Sequence, residues 1–262
     1  MTRLVVHPGF HKTGTTSVQT LLRVNRGVLS DHLRIYLRDD FEELANTARR
    51  YCLKPKALRL GHVGDAAKRF FDTLDPADPR PVLMSSEDLS GLMPGRRNLT
   101  TYAAAAPLMA TLCTAARARF GKPLRATLFF STRAADAWLR SAYWQHLRST
   151  RITEDLETYL ASAGPAADFD AVLVAVSDAV RRTTVTALAL EEMRDLPQGP
   201  LTPLLELTEV PDDVRGRIAL LPPANVQPDI GLDAIFLALN RSGLHNRDVA
   251  AIKAQLMKMA AP

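Results

Sequence analysis

An apolar run breaks into a glycine- and threonine-rich loop carrying a single lysine: Val5-Val6-His7-Pro8-Gly9-Phe10-His11-Lys12-Thr13-Gly14-Thr15-Thr16-Ser17. Residues 4–6 have the pattern of a short buried strand, and Val18, Leu21 and Leu22 begin a helical apolar stripe, so the loop joins a strand end to a helix N-terminus. At such a junction the unpaired backbone N–H groups and the positive end of the helix dipole converge on an anion. Ordinary turn chemistry produces similar loops, and the stretch alone leaves both readings open.

The loop departs from the nucleotide-triphosphatase pattern G-x-x-x-x-G-K-[ST]. Gly9 and Gly14 keep its spacing, but Thr15 follows Gly14 where the lysine belongs, and the lysine is Lys12. That displacement moves the ammonium from the outer phosphates of a triphosphate toward the first phosphate and its bridging oxygen.

The chain has 262 residues, 47% hydrophobic and 23% charged, enough to bury a substantial core; residues 1–262 read as one domain. The net charge of +5 suits an anionic ligand. Basic residues are scattered and aromatics are 6%, so no nucleic-acid partner is expected. Cys52 and Cys113 have no paired spacing, which argues against a zinc site or a disulfide framework. The N-terminal sequence lacks a signal-peptide pattern and no apolar run reaches membrane-span length, so a cytoplasmic protein without a membrane span is expected.

Along the chain, helical spacing covers residues 16–29, 41–51, 63–74, 107–119, 136–148, 154–163, 168–181, 232–239 and 249–257. Strand patterns cover residues 33–37, 82–87, 125–133 and 184–190. Residues 91–97 read as a mobile surface loop with solvated Arg96 and Arg97, and Trp138, Tyr143 and Trp144 as core or pocket wall. The alternation predicts a three-layer α/β/α fold with a central, mainly parallel sheet, like that of P-loop nucleotide hydrolases.

Two stretches together resemble the sulfotransferases that use 3′-phosphoadenosine 5′-phosphosulfate (PAPS), in their bacterial and carbohydrate-type branches. Lys12-Thr13-Gly14-Thr15-Thr16 is similar to the family's 5′-phosphosulfate loop. Arg133-Ala134-Ala135-Asp136-Ala137-Trp138-Leu139-Arg140-Ser141-Ala142-Tyr143 is similar to its 3′-phosphate segment, an arginine at a strand end with a serine eight residues later. Weaker similarity runs through Ser85-Ser86-Glu87, residues 168–191 and Asn225-Val226. The resemblance implies PAPS as co-substrate, 3′,5′-adenosine bisphosphate as product and no metal requirement. Lys12 would stabilise the leaving oxygen, Thr13, Gly14, Thr15, Thr16 and Ser17 would hold the 5′ end, and Arg133 and Ser141 would grip the 3′-phosphate.

The acceptor needs a base, and Glu87 at a strand end is the first choice, with His11 and His146 as runners-up and a capping or ion-pair role as the structural alternative. Ser17 stands where cytosolic relatives carry an adenine-stacking tryptophan. The C-terminal Arg-Lys-Gly triplet of those relatives is replaced by Pro222-Pro223-Ala224-Asn225. The expected acceptor is a small molecule or a carbohydrate, with a sugar or glycolipid favoured by the branch. A P-loop small-molecule kinase and a non-catalytic nucleotide- or partner-binding protein are the alternatives.

Overall fold

The computed structural model describes residues 2–221 and 231–260; the resemblance at residues 222–226 lies outside them. Five strands, β1 (Arg3–His7), β2 (Arg34–Leu37), β3 (Val82–Ser85), β4 (Arg125–Thr132) and β5 (Thr184–Ala189), form one all-parallel sheet in the order β2-β3-β1-β4-β5. Leu4 pairs in register with Val82 on one side and Ala126 on the other. Helices fill every crossover, because parallel strands need long connections whose apolar stripes cover the sheet. They are α1 (Thr15–Val24), α2 (Arg26–Leu29), α3 (Glu42–Leu53), α4 (Ala57–Asp72), α5 (Ala105–Phe120), α6 (Ala135–Ser149), α7 (Leu156–Ala163), α8 (Phe169–Ala179), α9 (Leu190–Met193), α10 (Thr202–Leu207), α11 (Asp212–Arg215), α12 (Leu232–Arg241) and α13 (Asn246–Met259).

The period-2 alternation of the strands assigns their side chains to two cores. Leu4, Val6, Val82, Met84, Leu128 and Phe130 enter the larger one, with residues of α3 to α8 and α12. Val5, Leu83, Ile35, Leu37 and Phe129 enter the other, with α1, α2, α10 and α11. The expected three-layer α/β/α architecture is therefore present.

The strand order places the site. The chain leaves β1 toward β2 on one side and leaves β4 toward β5 on the other, so the topology reverses between β1 and β4. Ligands of open α/β sheets bind in the crevice outside the strand carboxyl ends at such a reversal.

Three segments differ from their sequence patterns. The helix expected over residues 16–29 breaks at Asn25, whose side-chain amide donates to the carbonyls of Leu21 and Ala219 and whose Oδ1 accepts from the Ala219 N–H, so it closes the end of α1 and ties it to a distant segment. Residues 91–97 are not a wholly exposed loop: Leu92 and Met93 are each 5% exposed. The stretch Leu156–Ala179, 24 residues, is long and apolar enough by length and composition to cross a membrane, against the expectation that no run reaches that length, although a single turn at Gly164–Ala167 separates α7 from α8 within it. The expected core role of Trp138, Tyr143 and Trp144 holds, all three being buried. Cys52 and Cys113 are free and buried.

Phe130 is fully buried and its ring lies 5.2 Å from that of Phe10 in the loop after β1. Phe130→Ala is expected to lower unfolding free energy by about 3–5 kcal/mol, and Leu58→Ala, at a side chain 73% exposed, to change it by no more than about 0.5 kcal/mol. Urea titration of both variants checks this.

Candidate anion-binding site

The loop between β1 and α1 is fixed from beneath by a line of buried polar side chains. His7 ends β1 fully buried, its Nδ1 2.9 Å from Ser85 Oγ on β3 and its Nε2 3.2 Å from Ser131 Oγ on β4. Ser131 Oγ lies 2.7 Å from Thr13 Oγ1, which donates to the Phe10 carbonyl at 2.6 Å. That last bond sets the direction of the others, because each hydroxyl has one proton. Thr13 spends its proton on Phe10, so Ser131 donates to Thr13, His7 donates from Nε2 to Ser131, and Ser85 donates to Nδ1. Burial holds His7 neutral by lowering its pKa to about 3.

Over this line the backbone passes at van der Waals limits. Gly9 has φ 45°, and a Cβ there would meet Thr15 Cγ2 at 2.5 Å and His7 Nε2 at 3.1 Å. Lys12 takes the left-handed conformation at φ 67°, and Gly14, at φ 91°, caps α1. Phe10 points into the larger core, 4.6 Å from the ring of Phe169, and Trp138 Nε1 donates to the His11 carbonyl at 2.7 Å.

Above the loop is a cavity of about 600 Å³, in the range of small-molecule and cofactor sites. Lys12, Gly14, Thr15, Thr16 and Ser17 line it after β1, Arg133 and Ser141 after β4, and Leu190, Glu191 and Arg194 after β5. The two motifs, 121 residues apart in sequence at Lys12 and Arg133, thus meet in one space: Arg133 Nη1 donates to the Lys12 carbonyl at 3.2 Å.

Positive charge in this space is under-matched. The Lys12 ammonium has no hydrogen-bond or ion-pair partner among the described residues. Partial burial and the neighbouring guanidinium groups of Arg148 and Arg133 lower its pKa. Arg133 Nε is buried without a hydrogen-bond partner, and its nearest carboxylate oxygen, on Glu191, is 3.9 Å away. Buried donors are normally satisfied, and an oxyanion in this cavity would supply the partner that Lys12 and Arg133 Nε lack.

Thr13 and Glu87 do not line the cavity. The Thr13 side chain faces the sheet in the polar line described above, leaving only its backbone to face a ligand. Glu87 begins the turn after β3, half-buried, and accepts from Gln19 Nε2 of α1 at 2.8 Å. Its charge acts on His11, the residue before Lys12; burial nonetheless dominates and lowers the His11 pKa. Tyr102 Oη accepts from the His11 N–H at 3.1 Å and lies 3.2 Å from its Nδ1. His146 is fully buried, with Nδ1 2.9 Å from Tyr159 Oη and a pKa lowered to about 4 by burial.

The sequence pattern did not reveal the far wall: Glu191, Arg194, Leu196, Pro197, Gln198, Pro200, Leu220 and Leu221. Its one signal was a proline-rich segment directly after a strand. Comparison of the chain with protein-family models, curated proteins and solved structures found no match.

His7 binds no proton in the folded state until pH approaches 3, whereas the unfolded chain binds one below about 6.5. The unfolded state therefore holds more protons throughout that window, and folding stability falls as pH drops from about 6.5 toward 3, by up to about 1.4 kcal/mol per pH unit for this group. His7→Asn should be less stable at pH 7, with a gap to wild type that narrows by roughly that slope on acidification. Denaturant titrations at several pH values between 7 and 4.5 check this.

Proposed function

We propose that the protein transfers a sulfuryl group from PAPS to an acceptor hydroxyl or amine. The observation that carries the reading is the meeting of unpartnered Lys12 with Arg133 and Ser141 in one cavity at the N-terminus of α1. A donor with a phosphosulfate at one end and a separate ribose phosphate at the other needs two anion sites, and this cavity offers cationic and hydroxyl donors from two strand ends. A triphosphate-using kinase needs one continuous cradle with the lysine after the second glycine, and Thr15 stands there instead.

On this reading the N–H groups of residues 13–16 and the helix dipole hold the 5′-phosphate. Arg133 gives its fork, and Ser141 its hydroxyl, to the 3′-phosphate. An anion there displaces the loose Glu191 contact from Arg133. Adenine rests against the apolar wall of Leu196, Pro200, Leu220 and Leu221, which takes the place of the tryptophan absent at Ser17.

The acceptor oxygen attacks sulfur in line, the bond from sulfur to the bridging oxygen breaks, and the bridging oxygen keeps the electron pair as 3′,5′-adenosine bisphosphate departs. Lys12 stabilises the charge on that oxygen, and its desolvated surroundings strengthen the effect. Glu87 accepts the acceptor's proton. Its support is its place at the carboxyl end of β3, next to β1, with its charge felt at His11. His11 is the other base this arrangement allows.

Transfer of labelled sulfate from PAPS to an acceptor panel tests the reading. Wild type should turn over, while Lys12→Ala and Glu87→Gln should each lose about 10²-fold or more and still bind 3′,5′-adenosine bisphosphate. Loss in His11→Asn with full activity in Glu87→Gln would move the base to His11. A wild type that binds the bisphosphate and transfers to none of the panel would favour a non-catalytic binding protein.

A further inference from the structure

A second, smaller concentration of unmatched positive charge lies beside His11, outside the donor cavity. Residues 95–99 form a tight hairpin: Gly95 N–H donates to the Leu99 carbonyl at 2.8 Å and Leu99 N–H to the Arg96 carbonyl at 3.0 Å. Arg97 and Asn98 are both left-handed, at φ 56° and 60°, the signature of a two-residue turn that holds its flanks rigidly. The hairpin is pressed onto α6. A Cβ at Gly95 would lie 2.6 Å from Tyr159 Oη and 2.7 Å from His146 Cε1, so only glycine lets the backbone come this close to the imidazole edge.

Two groups on this surface lack partners. His146 Nε2 is buried without a hydrogen bond, while Nδ1 is engaged by Tyr159. Tyr159 occupies Nδ1, so Nε2 is the ring nitrogen left to meet an incoming group, and with the tyrosine hydroxyl as the donor it would present an N–H. The guanidinium of Arg96, half-buried on the hairpin, makes no hydrogen bond or ion pair among the described residues. Its charge is felt at both His146 and His11. The nearby carboxylates are committed elsewhere: Asp88 to Arg38 and Arg49, each at 2.8 Å, and Glu87 to Gln19. A half-buried guanidinium on the hairpin that touches His146, whose Nε2 has no partner, has the composition of an oxyanion subsite.

We propose that Arg96, on the hairpin packed against the unpartnered edge of His146, forms an anion subsite for the acceptor, which is therefore an acidic hydroxyl compound carrying a carboxylate, phosphate or sulfate group and not a neutral alcohol. The proposal rests on the transferase reading. The subsite adjoins His11 and hence Lys12, so a bound oxyanion places the rest of the acceptor toward the lysine. Arg97, exposed on the same turn, takes no part.

The test uses the full chain saturated with 3′,5′-adenosine bisphosphate and calorimetric titration of matched probes: glucuronate against glucose, 4-hydroxyphenylacetate against its amide, and glycerol 3-phosphate against glycerol. At least one acid should bind tenfold or more tighter than its neutral partner. Arg96→Ala should abolish that preference, Arg96→Lys should keep part of it because the charge remains without the fork, and Arg97→Ala should retain it. The bisphosphate Kd should stay within threefold in every Arg96 variant, which also reports that they are folded. Acids and neutral partners that bind alike, or an equal loss in Arg96→Ala and Arg97→Ala, would overturn the proposal. Failure of the bisphosphate to bind wild type would overturn the transferase reading itself and, with it, the acceptor role of the subsite, even if acids still bound through Arg96.

Discussion

The directional line of hydrogen bonds from Ser85 through His7, Ser131 and Thr13 to the Phe10 carbonyl is the interaction on which the site depends. It ties the carboxyl ends of three adjacent strands to the underside of one loop. Every proton in it has one place to go, because Thr13 has already committed its own. A buried polar network satisfied in this way specifies one arrangement, whereas a partly satisfied one would be costly. The loop's left-handed Lys12, its close approach at Gly9 and its anchoring by Phe10 all follow from that fixed floor.

Preorganisation of this kind has an electrostatic consequence. Lys12 and Arg133 are drawn together by the meeting of the β1 loop with the β4 end, with Arg148 of α6 adding its charge at Lys12, and the cavity wall provides Glu191 as counter-charge at a distance too long for a good ion pair. Burial weakens the solvation of these cations without matching them to carboxylates. Such a cluster costs stability in the empty protein, and on the proposed reading an anion would make it favourable, a local exchange of fold stability for ligand affinity. Arg96 repeats the pattern on a smaller scale beyond His11.

Much of this was legible in the sequence wherever local pattern and chemistry coincide. The strand-to-loop-to-helix transition at residues 4–22, the Arg133 and Ser141 spacing, and the apolar runs of β3 and β4 gave the architecture and half of the cavity. What stayed hidden depends on partners distant in sequence. Nothing local marks His7, since Ser85 and Ser131 are 78 and 124 positions away. Asn25 broke a helix through a bond to Ala219, and Arg96 looked like a solvated loop arginine because nothing local signals a hairpin pressed against His146. The wall after β5 follows no periodic pattern, and only its position at the end of a strand marks it.

The central claim is that the cavity is built for an adenosine carrying phosphate at both its 3′ and 5′ positions. Isothermal calorimetry of the wild-type protein with 3′,5′-adenosine bisphosphate, set beside ATP with magnesium under the same salt and pH, tests it most directly. The account predicts tighter binding of the bisphosphate by at least tenfold, with a stoichiometry of one and a loss of that binding in Arg133→Ala. Tighter binding of magnesium ATP by the wild type would contradict it.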